Sequence, residues 1–178
     1  MAESAAAVEV GVGTGRFAAP LGIKTGVEPA GAMAELARLR GIDVIRGVAE
    51  RLPLEDASFD LVMMITTICF LDNVSAAFSE AHRVLMAGGH LLVGFLDRGS
   101  ELGKHYDEKK AGNVFYTAAT FRSSEEVLNH LKKAGFRDPA FVQTIFESPG
   151  GMTEVAPVRS GWGEGLFVVA RGRKPSAA

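Results

Sequence analysis

The sequence predicts an α/β domain built on a mostly parallel sheet with helices on both faces. Two observations predict it. Short apolar, β-branched runs alternate with segments of helical period, an order that gives parallel strands joined by right-handed crossovers. The runs are also apolar at successive positions rather than at every second one, the pattern of strands covered on both sides.

Composition narrows the class. A chain of 178 residues has room for one domain, 1–178, with a substantial core. Hydrophobic residues make up 47% and charged residues 22%, a globular balance, and the net charge of -2 exerts no general pull on nucleic acid or anionic membrane. A neutral or weakly polar small molecule is the expected partner, and a homodimer is compatible with these properties. The longest apolar stretch, Leu61 to Leu71, contains Thr66 and Thr67 and falls short of the roughly 20 residues of a membrane helix. With Cys69 as the single cysteine, an internal disulfide and a cysteine-based metal cluster are excluded; no metal is expected, and the cytoplasm is the expected location.

Strands are predicted at Ala7 to Gly11, Ile23 to Glu28, Asp43 to Gly47, Phe59 to Ile65 and His90 to Phe95. Gly31 to Arg40 and Val74 to Met86 read as helices, the second with Val74, Phe78, Ala81 and Leu85 at three- or four-residue steps. Residues 97–122 then mix glycine, charge and the aromatics Tyr106, Phe115 and Tyr116 without a period, and read as an insertion near an acceptor site. Ser123 and Glu126 form a capping-box signature for a helix carrying Val127, Leu128, Leu131 and Ala134. Phe141 to Phe146 and Leu166 to Arg171 read as strands flanking a glycine-rich segment, 148–165, long enough to form a second site wall. The tail, 172–178, reads as frayed.

The chemistry concentrates where the first strand enters Gly11-Val12-Gly13-Thr14-Gly15. Glycines there permit positive φ and let backbone amides approach a ligand at the carboxyl edge of the sheet. The spacing is GxGxG, with Arg16 where a dinucleotide fingerprint has its third glycine. Glu28 ends the second strand, where a carboxylate accepts two ribose hydroxyls in charge-assisted hydrogen bonds. Together the pair points to an adenosine-type ligand.

On these residues the chain resembles class I S-adenosylmethionine (SAM)-dependent methyltransferases, in particular the small-molecule group often called type 11, over almost its whole length. The first motif of that family, acid-x-Gly-x-Gly-x-Gly, matches Glu9, Gly11, Gly13 and Gly15, and its second-strand acid matches Glu28, followed by Pro29 and Met33. Gly47-Val48-Ala49-Glu50-Arg51-Leu52-Pro53 and Arg83-Val84-Leu85-Met86-Ala87-Gly88-Gly89 are similar to two later motifs. The resemblance implies a Rossmann-like, doubly wound sheet of seven strands with an antiparallel last strand. It also implies that Glu9 orients the methionine end, Glu28 holds the ribose, Pro29 and Met33 cover adenine, and Ala49 and Glu50 lie beside them. SAM is the implied cofactor and S-adenosylhomocysteine (SAH) its product. One departure concerns position 48, where the family usually carries an aspartate bonded to the adenine amino group and this chain has Val48; losing such a bond costs about 1.5 to 3 kcal/mol.

Thr66, Thr67 and Ile68 follow the fourth strand, where the family shapes the floor under the reactive methyl; two threonines ending a buried strand are the simpler reading. His105, Tyr106 and Tyr116 either cover the acceptor and act as bases or pack the insertion onto the sheet. Trp162 either stacks on a flat acceptor or packs at the sheet edge, while His82, His90 and His130 read as structural or solvated. Cys69 reads as a small buried residue, and its isolation argues against arsenite methylation. Relatives usually carry N-terminal helices that cap the cofactor; here either the chain is a fragment, or the insertion or a partner subunit closes the site. The leading expectation is methyl transfer to a small molecule. A non-catalytic SAM- or SAH-binding module and a nicotinamide-dependent oxidoreductase are the alternatives, the latter opposed by the GxGxG spacing.

Overall fold

A computed structural model describes residues 6–109, 116–148 and 154–176. One sheet organises them, with strands β1 (Ala7–Val10), β2 (Thr25–Val27), β3 (Asp43–Ile45), β4 (Phe59–Ile65), β5 (Leu85–Leu96), β6 (Arg137–Thr144), β7 (Arg159–Ser160) and β8 (Phe167–Arg173). Their spatial order is β3-β2-β1-β4-β5-β8-β6-β7. The strands β3 to β5 pair in parallel, and β8 runs antiparallel between β5 and β6. All seven expected strands are present and the last is antiparallel. The eighth, β7, is a two-residue strand inside the segment read as a loop, paired antiparallel to β6.

Both faces are covered because both sets of side chains along the strands are apolar. Val8, Val10, Val62, Met64 and Leu91 pack on one face with Phe78 and Ala81 of α2 (Val74–Val84) and Leu131 of α4 (Ser124–Lys133). Met63, Val44 and Val12 pack on the other with Ala34 and Ala37 of α1 (Gly31–Leu39). Phe78 is fully buried; truncating such a side chain to alanine costs about 3 to 5 kcal/mol. The capping box of α4 forms as the sequence predicts: the Glu126 amide donates to Ser123 Oγ (3.2 Å), and the Ser123 amide donates to Glu126 Oε2 (2.7 Å). Among the described residues, no helix is long and apolar enough to cross a membrane.

Three expectations are corrected. The predicted helix over 74–86 ends at Val84, because Leu85 pairs with Phe59 and so starts β5. Within 97–122, residues Glu101–Lys109 form a helix, α3, whose polar composition hides its period, and Gly103 is its one buried residue. Just before it Asp97 is fully buried, and its carboxylate accepts from the Gly99 amide (2.8 Å), the Ser124 amide (2.9 Å) and Ser124 Oγ (2.8 Å), tying the start of the insertion to the start of α4. A Cβ at Gly103 would collide with the Asp97 carbonyl, so only glycine lets the helix approach that closely. The tail, expected to fray from 172, instead continues β8 through Arg173. Lys174 Nζ then donates to the carbonyls of His82 and Leu85, both at 2.7 Å, satisfying acceptors that a helix end leaves without partners. Phe115, residues 149–153 of the glycine-rich segment and residues 177–178 lie outside the described residues.

Candidate functional site

A cavity of about 720 Å³ opens over the carboxyl ends of β1, β2, β3 and β4, within the range of small-molecule sites and where open α/β sheets bind ligands. Gly11, Gly13, Glu28, Pro29, Met33, Ala49, Glu50, Thr66 and Thr67, nine of the residues singled out from the sequence, line it.

The glycine turn supplies two different services. Gly11 has φ +71 and a Cβ there would meet Thr67 Oγ1 at 2.6 Å, so its missing side chain makes room for Thr67. That threonine's hydroxyl lies 3.1 Å from the Ile65 carbonyl and 3.2 Å from that of Val10, joining the ends of β4 and β1. Gly13, with φ +54, faces empty space: the nearest atom to a Cβ there is the Gly11 carbonyl oxygen at 4.0 Å. Gly13 thus leaves a backbone cradle in the cavity wall that a larger side chain would fill. Gly15 does not line the cavity; a Cβ there would strike Ile42, so it serves the packing of α1.

Glu28 is 7% exposed. Its Oε2 accepts from the Gly13 amide and its Oε1 from the Ala30 amide, both at 2.9 Å. A carboxylate has about four acceptor positions, so it holds the turn in place and retains capacity for two ribose hydroxyls. Glu9 is different. It is fully buried, lies outside the cavity lining, and its Oε2 has no hydrogen-bond partner. Burial pushes its pKa up to about 7, opposed by the Ala18 backbone amide. Its carboxylate thus lies in the interior at the end of β1, behind the residues that line the cavity.

The segment after β3 forms the facing wall with Val48, Ala49 and Glu50. Its position is fixed from α2: Arg83 donates to the carbonyls of Leu54 (2.9 Å) and Leu52 (3.0 Å), and Glu80 accepts from the Leu52 amide (2.7 Å). These bonds give a local reason for the similarity of the Arg83 stretch. Glu50 Oε1 accepts from the amides of Asp72 (3.1 Å) and Asn73 (3.3 Å), closing the wall against the start of α2.

At the end of β4, Thr66 sits at φ +53 and its amide donates to the Gly94 carbonyl (2.8 Å). A β-branched residue in that region stores about 1 to 3 kcal/mol of strain, a cost that clusters at ligand sites. The 3₁₀ turn Ile68–Phe70 follows and brings Phe70, half exposed, with Leu71 and Asp72 to the cavity. Sequence reasoning missed these three; an apolar run leaving a strand carries no sign of the turn.

The insertion contributes Tyr116 to the wall, whereas Tyr106 packs behind it with Cys69, Ala119 and Phe121, and His105 is exposed on α3 away from the cavity. Burial raises the Tyr116 phenol above its usual pKa. Cys69 is buried with its thiol pushed up to about 11, again by burial. Trp162 packs on Phe141, ring centroids 4.5 Å apart, beside β6 at the far side of the sheet, and none of 154–165 lines the cavity. The segment 148–165 is therefore no second wall over its described residues. His82 packs edge-on against Phe136, and His130 Nδ1 lies 3.0 Å from Ser75 Oγ; both are structural.

Comparison with known proteins places this geometry. Residues 8–93 match the family described as a methyltransferase domain. An uncharacterized protein of Methanocaldococcus jannaschii is 44% identical over 94% of this chain and 81% of its own length. An uncharacterized Mycobacterium tuberculosis protein is 38% identical over 80% of this chain and 50% of its length, so the chain spans half of that relative. The crystal structure of a SAM-dependent methyltransferase from Thermotoga maritima, described as a possible histamine N-methyltransferase, superposes with a TM-score of 0.93 at 52% identity, over 98% of this chain and 84% of that one. With the glycine cradle and the Glu28 carboxylate fitting SAM, and with this identity over most of both chains, the chain belongs to the SAM-dependent methyltransferases.

Proposed function

We propose that this methyltransferase acts on a small molecule, and that its acceptor is an amine. The observation that carries the reading is the charge of the cavity wall. Glu28, Glu50 and Asp72 contribute carboxylates, and none of the described lining residues is lysine, arginine or histidine. A wall of one sign favours neutral or cationic partners and repels carboxylates and phosphates. Phe70 and Tyr116 add aromatic surface, suited to an organic cation. The histamine methylation ascribed to the Thermotoga relative fits the same class.

SAM, when bound, supplies an electrophilic methyl group on sulfur. The protein's task is alignment: Glu28 and Gly13 fix the nucleoside, while Thr66, Phe70 and Tyr116 confine the acceptor. The acceptor nitrogen's lone pair forms the new bond to carbon as the carbon–sulfur bond breaks, its electron pair staying on sulfur to give SAH; the nitrogen's proton leaves to water. Tyr116, with its raised pKa, stays protonated at neutral pH and donates a hydrogen bond rather than removing a proton.

Methyl-labelled SAM, offered with panels of amines, phenols and carboxylic acids, tests this. Amines should take up label at least about tenfold faster than acids of matched size. Transfer confined to acids or phenols overturns the acceptor class. SAH binding with no transfer to any panel returns the chain to the binding-module alternative.

A further inference from the structure

The charge of the cavity wall sets a condition on the nitrogen that is methylated. Only a nitrogen with a free lone pair attacks the methyl carbon. An aliphatic amine, with a pKa of about 10.4 for a nitrogen of the lysine type, leaves fewer than about one molecule in a thousand neutral at pH 7. Carboxylates nearby lower that fraction further, because an opposite charge favours the protonated form. The wall presents three, on Glu28, Glu50 and Asp72, and no lysine, arginine or histidine among its described residues. Such a wall attracts an aliphatic amine and holds it in the form that does not react.

No group in the described wall is suited to remove the proton. Glu28 accepts from the amides of Gly13 and Ala30, and Glu50 Oε1 from those of Asp72 and Asn73. A carboxylic acid is in general about a million times stronger than an alkylammonium, so a carboxylate does not take a proton from one. Tyr116 stays protonated, its phenol pushed up by burial. Thr66 Oγ1 donates to the Ile65 carbonyl at 2.8 Å, which leaves it an acceptor. The attacked nitrogen must therefore arrive neutral, while the wall selects a cation.

We propose that the acceptor carries two nitrogens of unlike basicity: an ammonium arm, which the acidic wall binds, and a weakly basic, ring-conjugated nitrogen, which takes the methyl group. The inference rests on the amine reading and on the seating of SAM in this cavity. Conjugation with a ring lowers basicity to about 6.5 for an imidazole, so that nitrogen is mostly neutral at pH 7. The ring also supplies a flat face for Phe70 and Tyr116, which both line the cavity. Binding and reaction are thereby divided between two ends of one molecule. The neutral nitrogen's lone pair forms the bond to carbon as the carbon–sulfur bond breaks, the electron pair stays on sulfur, and the cation so formed releases its proton to water.

Methyl-labelled SAM and ring-matched probes at pH 7 test this on the full chain. Phenethylamine has only the strongly basic nitrogen, para-aminophenethyl alcohol only the weakly basic one, and para-aminophenethylamine both; hydroxyethylimidazole and aminoethylimidazole form a second pair. Each two-nitrogen probe should be methylated about tenfold faster or more than its one-nitrogen counterparts, with the methyl located on the ring-conjugated nitrogen by mass spectrometry. Against the alcohols the gain should lie in KM, and against phenethylamine in kcat. Asp72 is exposed and its carboxylate forms no hydrogen bond or ion pair within the described residues. Asp72→Asn should therefore raise KM for the two-nitrogen probes about two- to fivefold, the worth of an exposed ion pair, and leave KM for the alcohols and SAH affinity unchanged. Phenethylamine methylated as fast as the two-nitrogen probes, or a methyl found on the arm, overturns the proposal and leaves the amine reading standing. Alcohols used as well as their ammonium counterparts, or a KM that Asp72→Asn does not move, overturns it too. Transfer to no nitrogen probe is instead a failure of the amine reading itself.

Discussion

The two halves of the site are built by different means. The half over β1 and β2 consists of tight turns whose positions are set by backbone: Gly11 yields to Thr67, Gly13 is held by Glu28, and Glu28 is held by Gly13 and Ala30. The half beyond β4 consists of side chains on a 3₁₀ turn and on an insertion, Phe70, Leu71, Asp72 and Tyr116, with no comparable lattice of bonds between them. The first half fits one ligand common to a family. The second is free to vary with the acceptor, which loops tolerate and a backbone cradle does not.

The largest effects should come from breaking the backbone-built half. Gly11→Val places a branched side chain at φ +71 against Thr67, adding overpacking of about 1 to 3 kcal/mol to the left-handed penalty. Chemical denaturation should show a clear loss of stability. Gly13→Val meets no such neighbour and carries the left-handed penalty alone at φ +54, so it should lose less stability than Gly11→Val while abolishing SAH binding in calorimetry. Equal stability losses in both variants would erase the distinction between a packing glycine and a cradle glycine.

Glu28 comes next. Glu28→Ala removes the carboxylate proposed to hold the ribose and also leaves the Gly13 and Ala30 amides without their partner, so SAH affinity should fall about 10- to 100-fold. Glu28→Gln keeps an acceptor for one amide and should fall less. Identical affinities of wild type and Glu28→Ala would remove the ribose assignment.

Much of this half was legible in the sequence because its function is written in residue types with few alternative explanations. Positive φ favours glycine, and an acid ending an apolar strand is conspicuous. The sequence did not distinguish glycines that serve packing from the one that faces the open cavity, since that depends on Thr67 and Ile42, distant in the chain. Nor did it show how differently Glu9 and Glu28 sit: both are acids close to the end of an apolar strand, and only the three-dimensional position shows that one is buried outside the cavity lining and the other is in the wall. The acceptor half was scarcely legible. Of His105, Tyr106 and Tyr116, the structure keeps Tyr116 alone at the cavity, because α3 turns His105 to solvent and Tyr106 into a small cluster with Cys69.

A subtler consequence belongs to Glu9. Its folded pKa of about 7 stands above the ordinary 4.5, so the native state binds more protons than the unfolded chain between those values. Stability from this group is present below pH 4.5 and is lost as pH rises toward 7, by about 3 kcal/mol at most. Thermal unfolding followed from pH 5 to 8 should show that decline, and Glu9→Gln should flatten it. A slope unchanged by the substitution would mean that other groups produce it.

The smallest effects should fall on the insertion, and they sharpen the contrast between the halves most finely. His105→Ala alters an exposed residue outside the cavity, so labelled methyl transfer should be unchanged. Tyr116→Phe keeps the ring and its edge-to-face packing on Phe121, 5.4 Å between centroids, and removes only a hydroxyl. On the proposed role of that hydroxyl as a hydrogen-bond donor, the rate should fall by no more than about tenfold, the worth of one neutral hydrogen bond, and its pH profile should keep its shape. SAH affinity should be untouched in both variants, since the half proposed to hold the nucleoside is built from none of residues 97–122. A rate loss of several hundredfold in Tyr116→Phe, with a shifted pH profile, would instead make the phenol a general base and move chemistry into the half that otherwise serves recognition.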